Sequence, residues 1–370
     1  MSDIADLSKG IGISKDQLSA DGEPCILYGE LYTKYKSETI KEVISKTNID
    51  NTKLVKSKAN DVIIPCSGET AEEIATARCV LKDDVLLGGD LNIIRLHGYD
   101  GSFMSYQLNG KRKYDIAKVA QGVSVVHLYG EHLKNIKTIN PGLNEQKKIA
   151  NLLSLLDERI ATQNKIIDKL QSLIKGISNR LLYADNSMSI RIEEMLIERS
   201  ERTKKNNQYE ILSSTVNGIF SQRDYFSKDI ASDNNVGYKI IHLHDIVLSP
   251  QNLWMGNINF NDKFDIGIVS PSYKVFSIAD GFDKKYVAAL LKTHHALYNY
   301  MLVSEQGAST VRRNLNYEAF EQLVFKIPSL NKQQEIGHVI SLLKSQLENA
   351  NLLIKTYNSQ KQYLLRQMFI

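Results

Sequence analysis

Cysteine is scarce in this sequence, and long apolar runs are absent. The 370 residues include three cysteines, Cys25, Cys66 and Cys79, and no two of them form a Cys-x-x-Cys pair. This odd number argues against a disulfide framework or a zinc ribbon and favours a reducing compartment. No stretch of 18 or more apolar residues occurs, and no basic segment leads into an apolar one at the start. The sequence therefore predicts a cytoplasmic protein without a membrane span or secretory signal.

Catalytic motifs are also missing. The sequence contains no GxxxxGK[ST] phosphate loop, no GxGxxG fingerprint, no GxSxG elbow and no HExxH zinc motif. Of the Asn-Pro-Pro-aromatic motif with which amino-methyltransferases hold a flipped base, only Asn140-Pro141 is present, and glycine follows it. His294 and His295 are adjacent on a predicted helix, so their rings point apart and predict no metal site. We therefore expect a non-catalytic chain that holds neither metal nor cofactor.

The charge of the chain is unevenly distributed. The net formal charge is +4, from 46 Lys and Arg against 42 Asp and Glu. Residues 1–140 hold 18 basic against 19 acidic side chains, and residues 185–328 hold 16 against 17. The excess lies in residues 141–184, with 7 against 4, and in residues 329–370, with 5 against 2. Overall charge thus does not predict nucleic-acid binding, and any DNA-binding surface on the first two segments must be a local cluster.

Residues 141–184 contain a sustained heptad pattern. Apolar side chains recur at alternating spacings of four and three, interrupted only by Gln163, and no proline occurs after Pro141. This pattern predicts one long helix with an apolar seam, and the polar Gln163 predicts a contact that sets the register. The predicted seam positions are Ile149, Leu153, Leu156, Ile160, Ile167, Leu170 and Ile174. A single helix cannot bury such a stripe by itself.

The same pattern returns 187 residues later. Pro141, Gln146 and Ile149 superpose on Pro328, Gln333 and Ile336. The predicted seam of residues 329–370 comprises Ile336, Ile340, Leu343, Leu347, Ile354 and Leu364, with the polar Lys361 inside it. Two copies predict a duplicated unit. We assign residues 1–140 and 185–328 to two domains and residues 141–184 and 329–370 to two spacer helices.

Both domains show short apolar runs bounded by turn residues. Residues 25–28, 62–65, 85–87 and 92–96 predict strands in the first domain, and residues 210–212, 245–248, 266–269 and 273–276 do so in the second. Residues 67–78 can hold a turn and one short helix, and residues 282–300 predict a helix. Segment 61–65 corresponds to segment 245–250, and segment 120–123 to segment 305–308. The predicted fold class is α+β, with two similar domains.

Several segments together resemble one known family. They are LNEQKKIA at 143–150 followed by LDERI at 156–160, the echo QQEI at 333–336, GDL at 89–91 and GIVSPSY at 267–273. Over nearly the whole chain, the sequence resembles the specificity subunit of Type I restriction-modification systems. The resemblance implies two α+β target-recognition domains separated by two long helices that pack as an antiparallel coiled coil, in a pseudo-twofold internal repeat.

The resemblance also implies the function and the partners. Each domain would read one half of a bipartite site in double-stranded DNA, and the helices would set the spacing and dock two modification (methyltransferase) subunits. Those subunits would carry S-adenosylmethionine and the active site, and ATP-dependent restriction subunits would join in some complexes. Defence against foreign DNA is the role of such systems.

Candidate DNA-binding residues are polar residues of predicted turns and loops. In the first domain they are Ser67, Thr70, Lys111, Arg112, Lys113 and Gln121, and in the second they are Gln251, Asn252, Trp254, Gln306, Ser309, Thr310, Arg312 and Arg313. In the loop 306–314, glycine lets the backbone approach phosphate, and the paired arginines suit guanine or phosphate. A solvated charge run explains Lys111–Lys113 equally well, and Trp254, the only tryptophan, is as compatible with a core anchor as with a base contact.

A different class of function fits the same pattern. A coiled-coil scaffold, or an adaptor that binds RNA without DNA specificity, would also need long helices and α+β domains. The bases that are read and the length of the spacer do not follow from the sequence, because readout depends on loop detail.

Overall fold

The computed structural model describes residues 1–122, 125–181, 188–225, 234–306 and 313–369. Contacts divide the chain into two units, one formed by Met1–Ile166 with Ala350–Ile370 and the other by Ile167–Asn349. Both units combine helices with mainly antiparallel sheets, so the predicted α+β class is confirmed. Within the described residues, no helix has the length and apolarity that crossing a membrane requires.

The first unit is built mostly from short elements. In chain order they are β1 (Ala5–Lys9), β2 (Leu18–Ser19), β3 (Glu23–Ile26), α1 (Glu30–Thr33), β4 (Thr39–Ile40), β5 (Ser45–Thr47), β6 (Val55–Lys56), β7 (Asp61–Pro65), β8 (Ser67–Gly68), α2 (Ala71–Ile74), β9 (Arg78–Val80), β10 (Leu86–Leu87), β11 (Leu91–Leu96), α3 (Gly101–Asn109), α4 (Lys113–Val119), β12 (Val126–His127), α5 (Gly130–Lys134) and the start of the long helix α6 (Leu143–Leu181).

Two five-stranded sheets organise this unit, in the orders β1-β11-β7-β9-β4 and β2-β5-β3-β10-β6, and β8 pairs separately with β12. Side chains alternate between the two faces of a strand. Accordingly Val62 and Ile64 of β7 belong to one apolar core, whereas Ile63 belongs to another. Strand β7 is thus buried on both faces, which explains its unbroken run of β-branched residues.

The second unit is also built mostly from short elements. Its elements are the end of α6, β13 (Met188–Arg191), α7 (Ile192–Met195), β14 (Leu196–Glu198), β15 (Leu212–Thr215), β16 (Gly218–Ser221), α8 (Gln222–Tyr225), β17 (Lys239–His242), β18 (Ile246–Leu248), β19 (Ile258–Phe260), β20 (Ile266–Val269), β21 (Lys274–Ile278), α9 (Lys284–Leu290), α10 (His294–Leu302), β22 (Ser304–Gln306), β23 (Arg313–Leu315), α11 (Tyr317–Glu321), β24 (Val324–Ile327) and the start of α12 (Leu330–Gln367). Its main sheet has the order β14-β21-β18-β19.

One prediction for this unit was wrong. Residues 282–300 form two helices, α9 and α10, instead of one. The break falls at Thr293, whose hydroxyl accepts a hydrogen bond from the Ala296 N–H at 3.2 Å and caps α10. Threonine side chains compete for backbone groups in this way, and the apolar pattern does not reveal it.

The central strands of the two units share one register. Strand β7 pairs with β11 as β18 pairs with β21, and the equivalent Cα partners are Val62 with Ile94 and Ile246 with Phe276, Ile63 with Ile93 and Val247 with Val275, and Ile64 with Asn92 and Leu248 with Lys274. The predicted correspondence between segments 61–65 and 245–250 therefore extends to three dimensions.

A buried glutamine fixes the first turn of each long helix to its own unit. The Gln146 side chain donates to the Pro141 carbonyl at 2.7 Å and accepts from the Asp100 N–H at 3.0 Å. In the second unit, Gln333 donates to Pro328 at 2.9 Å and accepts from Asp283 at 3.1 Å. Both glutamines are at most 2% exposed. Since Asp100 caps α3 and Asp283 caps α9, each amide joins the long helix to a domain helix.

The two long helices run antiparallel where they meet in each unit. In the first unit, Ala150 and Leu153 of α6 share a core with Leu365 and Phe369, while the Gln163 amide donates to the Ala350 carbonyl at 3.2 Å. In the second unit, Ile174 lines one cavity with Ile340 and Leu347. The predicted antiparallel packing is confirmed. All the seam positions predicted above are buried or half-buried: Ile149, Leu153, Leu156, Ile160, Ile167, Leu170, Ile174, Ile336, Ile340, Leu343, Leu347, Ile354 and Leu364.

A charged layer interrupts the seam in the first unit. The Lys361 ammonium, at 9% residue exposure, forms ion pairs with Glu38 and Asp157, which are also buried. The Asp157 carboxylate accepts further hydrogen bonds from the Tyr106 hydroxyl at 2.8 Å and from Ser37 at 2.9 Å. Under the 187-residue repeat, Lys361 corresponds to Ile174 and Asp157 to Lys344. The charged layer therefore occurs in the first unit and is not repeated at the equivalent positions of the second.

Replacing the buried Gln146 should weaken the attachment of α6 to the first unit. We expect Gln146→Leu to lower the free energy of unfolding by about 2–4 kcal/mol, because a buried donor or acceptor left unpaired costs about 1–3 kcal/mol. Chemical denaturation with hydrogen exchange resolved by peptide measures this loss. Gln360→Leu on an exposed position of α12 serves as the control and should change stability by less than about 0.5 kcal/mol. Equal effects of both substitutions would contradict the anchoring role.

Removing the cation of the charged layer should cost more. We expect Lys361→Met to destabilise the first unit by about 3–5 kcal/mol, since two buried carboxylates lose their partner. Lys355→Met, on an exposed position of the same helix, should be nearly neutral. Combining Lys361→Met with Glu38→Gln and Asp157→Asn should recover part of the loss. If the triple variant is as unstable as Lys361→Met, the ammonium of Lys361 does not stabilise the unit by neutralising the two carboxylates.

Candidate nucleic-acid interface

The second unit brings two of the predicted loops together. Gln306 and Arg313 are Cα partners in the β22–β23 hairpin, and the Arg313 N–H donates to the Gln251 carbonyl at 3.1 Å. The Arg313 guanidinium lies 4.4 Å from the centroid of the Trp254 ring. Trp254 is half-buried and absent from the apolar core of its unit. A stacked guanidinium and indole next to exposed amides can contact phosphate and base edges.

A polar network holds the turn that carries Trp254. This turn is a short 3₁₀ helix, Leu253–Met255, which begins after Asn252 and ends at Gly256 with a φ of 88°. Behind it, the Asn257 side chain accepts from the Ser214 hydroxyl at 2.8 Å and donates to the Ser214 carbonyl at 3.0 Å. Buried amides in such networks specify one conformation, because each lost bond leaves a buried polar group unpaired. Asn257 thereby joins the end of the turn that carries Trp254 to β15.

The first unit contains an equivalent arrangement. Gln121 pairs with His127 through both backbone bonds, at 2.9 and 2.7 Å, and His127 is the Cα partner of Ser67 in the β12–β8 ladder. The Tyr129 ring, 45% exposed, stacks near the His127 ring with centroids 6.2 Å apart. The Lys9 ammonium lies 5.6 Å from the centroid of the Tyr129 ring. Basic and aromatic groups thus accompany Ser67 and Gln121, as they accompany Gln251 and Gln306 in the second unit.

We name this arrangement the recognition turn. In the first unit it comprises Ser67, Gln121, His127 and Tyr129, and in the second it comprises Gln251, Trp254, Gln306 and Arg313. In both units a Gln-Gly pair opens the connection, and the next strand returns to pair with that glutamine.

His127 and Tyr129 were missed by the sequence-based prediction. A signal for them exists in the alternation from 126 to 129, where Val126 and Leu128 are buried and His127 and Tyr129 are exposed. The alignment of Gln121-Gly122 with Gln306-Gly307 would also have placed His127 opposite the paired arginines. Residues 126–129 contain no Lys or Arg, unlike the basic segments among the predicted residues.

The remaining predicted residues of the first domain lie elsewhere. Lys111 is exposed, Arg112 forms an ion pair with Asp115 at 3.3 Å, and burial lowers the pKa of Lys113. These three residues precede or begin α4, whereas Gln121 follows its end, so the two sets are separated by about 10 Å of helix. Thr70 is the N-cap of α2, where its hydroxyl accepts from the Glu73 N–H at 3.2 Å. The structure therefore does not unite the Lys111–Lys113 run with Ser67 and Gln121.

Three predicted residues of the second domain, Ser309, Thr310 and Arg312, lie outside the described residues. Asn252 is half-buried and donates its backbone N–H to the Ser249 carbonyl at 3.1 Å. Cys66 is buried directly before Ser67, and burial raises the pKa of its thiol to about 11. Across the part of the chain that the structure describes, no group of three His, Cys, Asp or Glu side chains could hold a metal ion.

Residues 1–172 are similar to a known protein family. The family described as the Type I restriction modification DNA specificity domain matches residues 1–172. The Type I restriction enzyme MjaVIII specificity subunit of Methanocaldococcus jannaschii is 29% identical over 179 residues, which are 48% of this chain. The chain spans two fifths of that relative, since the match covers 40% of its length.

The fold is similar to solved structures over nearly the whole chain. The crystal structure of the Type I restriction-modification system S subunit from M. genitalium superposes with a TM-score of 0.65 at 16% identity, covering 100% of this chain and 94% of that one. A chain from a study of complex assembly and conformational transition of the type I R-M system gives a TM-score of 0.51 at 11% identity, covering 98% and 95%. The resemblance inferred from the sequence is confirmed, and residues 1–172 match the family of Type I restriction modification DNA specificity domains.

Proposed function

We propose that this chain is the sequence-specific DNA-recognition subunit of a Type I restriction-modification complex. Each domain reads one half of a bipartite site in double-stranded DNA, and the two helices set the spacing and dock methyltransferase subunits. The observation that carries the proposal is the recognition turn, which is built twice on one backbone plan with different side chains. The family match over residues 1–172 supports the same function.

The chemistry of the turns supports two different readouts. In the second unit an arginine stacked on tryptophan, Arg313 over Trp254, suits guanine or phosphate, because a guanidinium donates in a planar fork. In the first unit, His127 and Tyr129 present rings and hydrogen-bonding groups, with Lys9 as the nearby cation. The amides of Gln121 and Gln306 suit adenine. Because the two turns have different side chains, the two domains read different half-sites.

Catalysis belongs to partner subunits in this proposal. This chain supplies recognition only, while the methyltransferase subunits bind S-adenosylmethionine and transfer the methyl group to adenine. Restriction subunits driven by ATP add cleavage where they are present.

An exposed apolar stripe supports the docking of two equivalent partners. Leu152 and Leu155 on α6 are 49% and 50% exposed, and their repeat counterparts Val339 and Leu342 on α12 are 40% and 53% exposed. Residues three apart on a helix lie on the same face, so each pair forms one patch. Exposed apolar patches mark interaction sites, and the same patch in both repeats fits two copies of one methyltransferase subunit.

Deletion of the gene, followed by mapping of methylated adenines across the genome, tests the proposed function. We expect one bipartite motif to lose its methylation, and complementation with this chain to restore it. The purified chain should also bind duplex DNA more tightly when its methyltransferase subunits are present. A scaffold would show no such dependence, and an RNA adaptor would bind RNA in place of duplex DNA. An unchanged methylation pattern after deletion would refute the proposal.

Substitutions in one recognition turn should affect one half-site. We expect Arg312→Ala with Arg313→Ala to relax or abolish recognition of a single half, with about 1–3 kcal/mol lost per bidentate base contact. His127→Ala with Gln121→Ala is the matched variant of the first unit and should affect the other half. Binding assays with duplexes altered in one half at a time measure both. Equal loss at both halves would exclude separate readers.

Substitutions in the apolar stripe should change stoichiometry. We expect Leu155→Glu and Leu342→Glu each to reduce the bound methyltransferase subunits from two to one, and the double variant to bind none. Burying an unpaired carboxylate opposes association at each patch. Asn151→Glu and His338→Glu, on exposed neighbouring positions of the same helices, are the matched controls. Native mass spectrometry counts the subunits, and two subunits on the double variant would place docking elsewhere.

A further inference from the structure

A cavity of about 330 Å³ lies in the second unit and is lined by residues of both long helices and of α9 and α10. Its basic side chains are Lys175 of α6, Lys292, His294 of α10 and Lys344 of α12. No Asp or Glu is among the described residues that line the cavity. Lys175, His294 and Lys344 are exposed, so a ligand from solution can reach them. The cavity is therefore an accessible, positively charged site without a counter-ion of its own.

The three lysines of the cavity form no ion pair with a residue that the structure describes. Asp262 and Glu348 act on the charge of Lys344 from a neighbouring cavity, and Glu348 is paired with Lys263 at 3.5 Å. Burial and the charge of Lys344 lower the pKa of the Lys292 ammonium to about 8. The lysines thus repel one another, and an anion bound in the cavity would relieve this repulsion.

Two backbone carbonyls orient the Lys292 ammonium. It donates to the Gly256 carbonyl at 2.7 Å and to the Val216 carbonyl at 3.2 Å. Both acceptors are neutral, so the ammonium keeps its charge for a ligand, and one of its three N–H donors is left to bind it. The group is thus held in place before a ligand arrives, which lowers the entropic cost of binding.

The first unit fills the equivalent space with a tyrosine. Tyr106 lies six residues after Asp100, which caps α3, and Ala289 lies six residues after Asp283, which caps α9. Both residues are buried. The Tyr106 hydroxyl donates to the Asp157 carboxylate of α6 at 2.8 Å. In the second unit, a methyl group in place of this ring leaves the cavity open.

The charges at this level of the helix pair differ between the two units. Under the 187-residue repeat, a lysine of the second unit, Lys344, stands where the first unit has the carboxylate of Asp157. Lys361 neutralises that carboxylate in the first unit, whereas its counterpart Ile174 is apolar. The first unit therefore balances its charges internally. The second unit lacks the anion, and a bound ligand can supply it.

The lining of the cavity defines the class of anion. A phosphate monoester carries about −1.5 to −2 charges at pH 7 and three strong acceptor oxygens, so it can accept from several ammonium groups at once. Ile174, Ile340 and Leu347 line other parts of the cavity and suit an apolar group joined to the phosphate. Ligand pockets have volumes of about 300–1,000 Å³, and this cavity lies at the small end of that range.

We infer that this cavity binds a small organic phosphate monoester. The phosphate accepts from Lys175, Lys292 and Lys344, and the organic group packs against the aliphatic wall. The inference does not rest on the proposed DNA recognition, since none of the residues in the two recognition turns lines the cavity.

Calorimetric titration of the full chain tests the inference. The probes are hexyl phosphate, hexyl sulfate, which has the same alkyl chain but a single charge, and inorganic phosphate, which has no apolar group. An ionic strength of about 0.15 M screens unspecific attraction between exposed charges. We expect hexyl phosphate to bind at least about tenfold more tightly than either of the other two probes. Equal binding of hexyl phosphate and hexyl sulfate, or no binding of hexyl phosphate, overturns the inference.

Two variants locate the binding. Ala289→Tyr gives the second unit the side chain of the first and fills the cavity, and Lys344→Leu removes one cation at an exposed position, where the chain should fold. We expect each variant to lose at least about tenfold in affinity for hexyl phosphate. Lys169→Leu, on an exposed position of α6 outside the cavity, is the matched control for charge and should stay within about twofold.

Thermal unfolding verifies that the variants are folded, and Lys344→Leu suffices for the test if Ala289→Tyr is not. Unchanged affinity for hexyl phosphate in folded Lys344→Leu would overturn the assignment to this cavity. A loss of affinity for duplex DNA in Lys344→Leu without any effect on hexyl phosphate would also overturn it, and would assign the lysines to contacts with a nucleic-acid backbone.

Discussion

The structure depends on one buried amide in each unit, that of Gln146 or Gln333. A glutamine side chain that donates to a proline carbonyl and accepts from the capping aspartate's N–H is satisfied in one geometry only. Any tilt of the long helix away from its unit would leave both backbone groups buried and unpaired, at about 1–3 kcal/mol each. The amide therefore fixes the start of each long helix to its own domain. The proposed readout requires this rigidity, since base edges are read by contacts of fixed geometry.

The two recognition turns share one pattern of backbone pairing but have different side chains. The pairing of Gln121 with His127, and of Gln306 with Arg313, uses backbone groups, so it does not depend on which side chains project from the turn. Side chains can then differ, with His127 and Tyr129 in one unit and Arg313 and Trp254 in the other.

The sequence-based predictions were right for features that follow a regular spacing of residues. The 187-residue repeat located both long helices, their seams and the equivalence of Gln146 and Gln333, because helical spacing is a local property. Short runs of β-branched residues predicted the central strands. Contacts between residues that are far apart in the sequence could not be predicted. Glu38 forms an ion pair with Lys361, 323 positions away, and no local pattern near either residue indicates that partner. The seam pattern did mark Lys361 as exceptional. At the recognition turn, loop composition found Gln251 and Gln306 but not Tyr129, whose exposure depends on how β12 returns to β8.

The charged layer distinguishes the correct helix pair from pairs of like helices. In the observed arrangement Asp157 meets Lys361, while their repeat counterparts Lys344 and Ile174 line one cavity. If α6 paired with a second copy of α6 in the same register, Asp157 would face Ile174 and lose its cation. If α12 paired with a second α12, Lys361 would face Lys344 and like charges would meet. Both errors bury an uncompensated charge, which costs several kcal/mol. A seam that was apolar throughout would lack this discrimination, since the two helices repeat the same heptads. The divergence of the repeats at these positions thus favours the pairing of α6 with α12 over the pairing of either helix with its own copy.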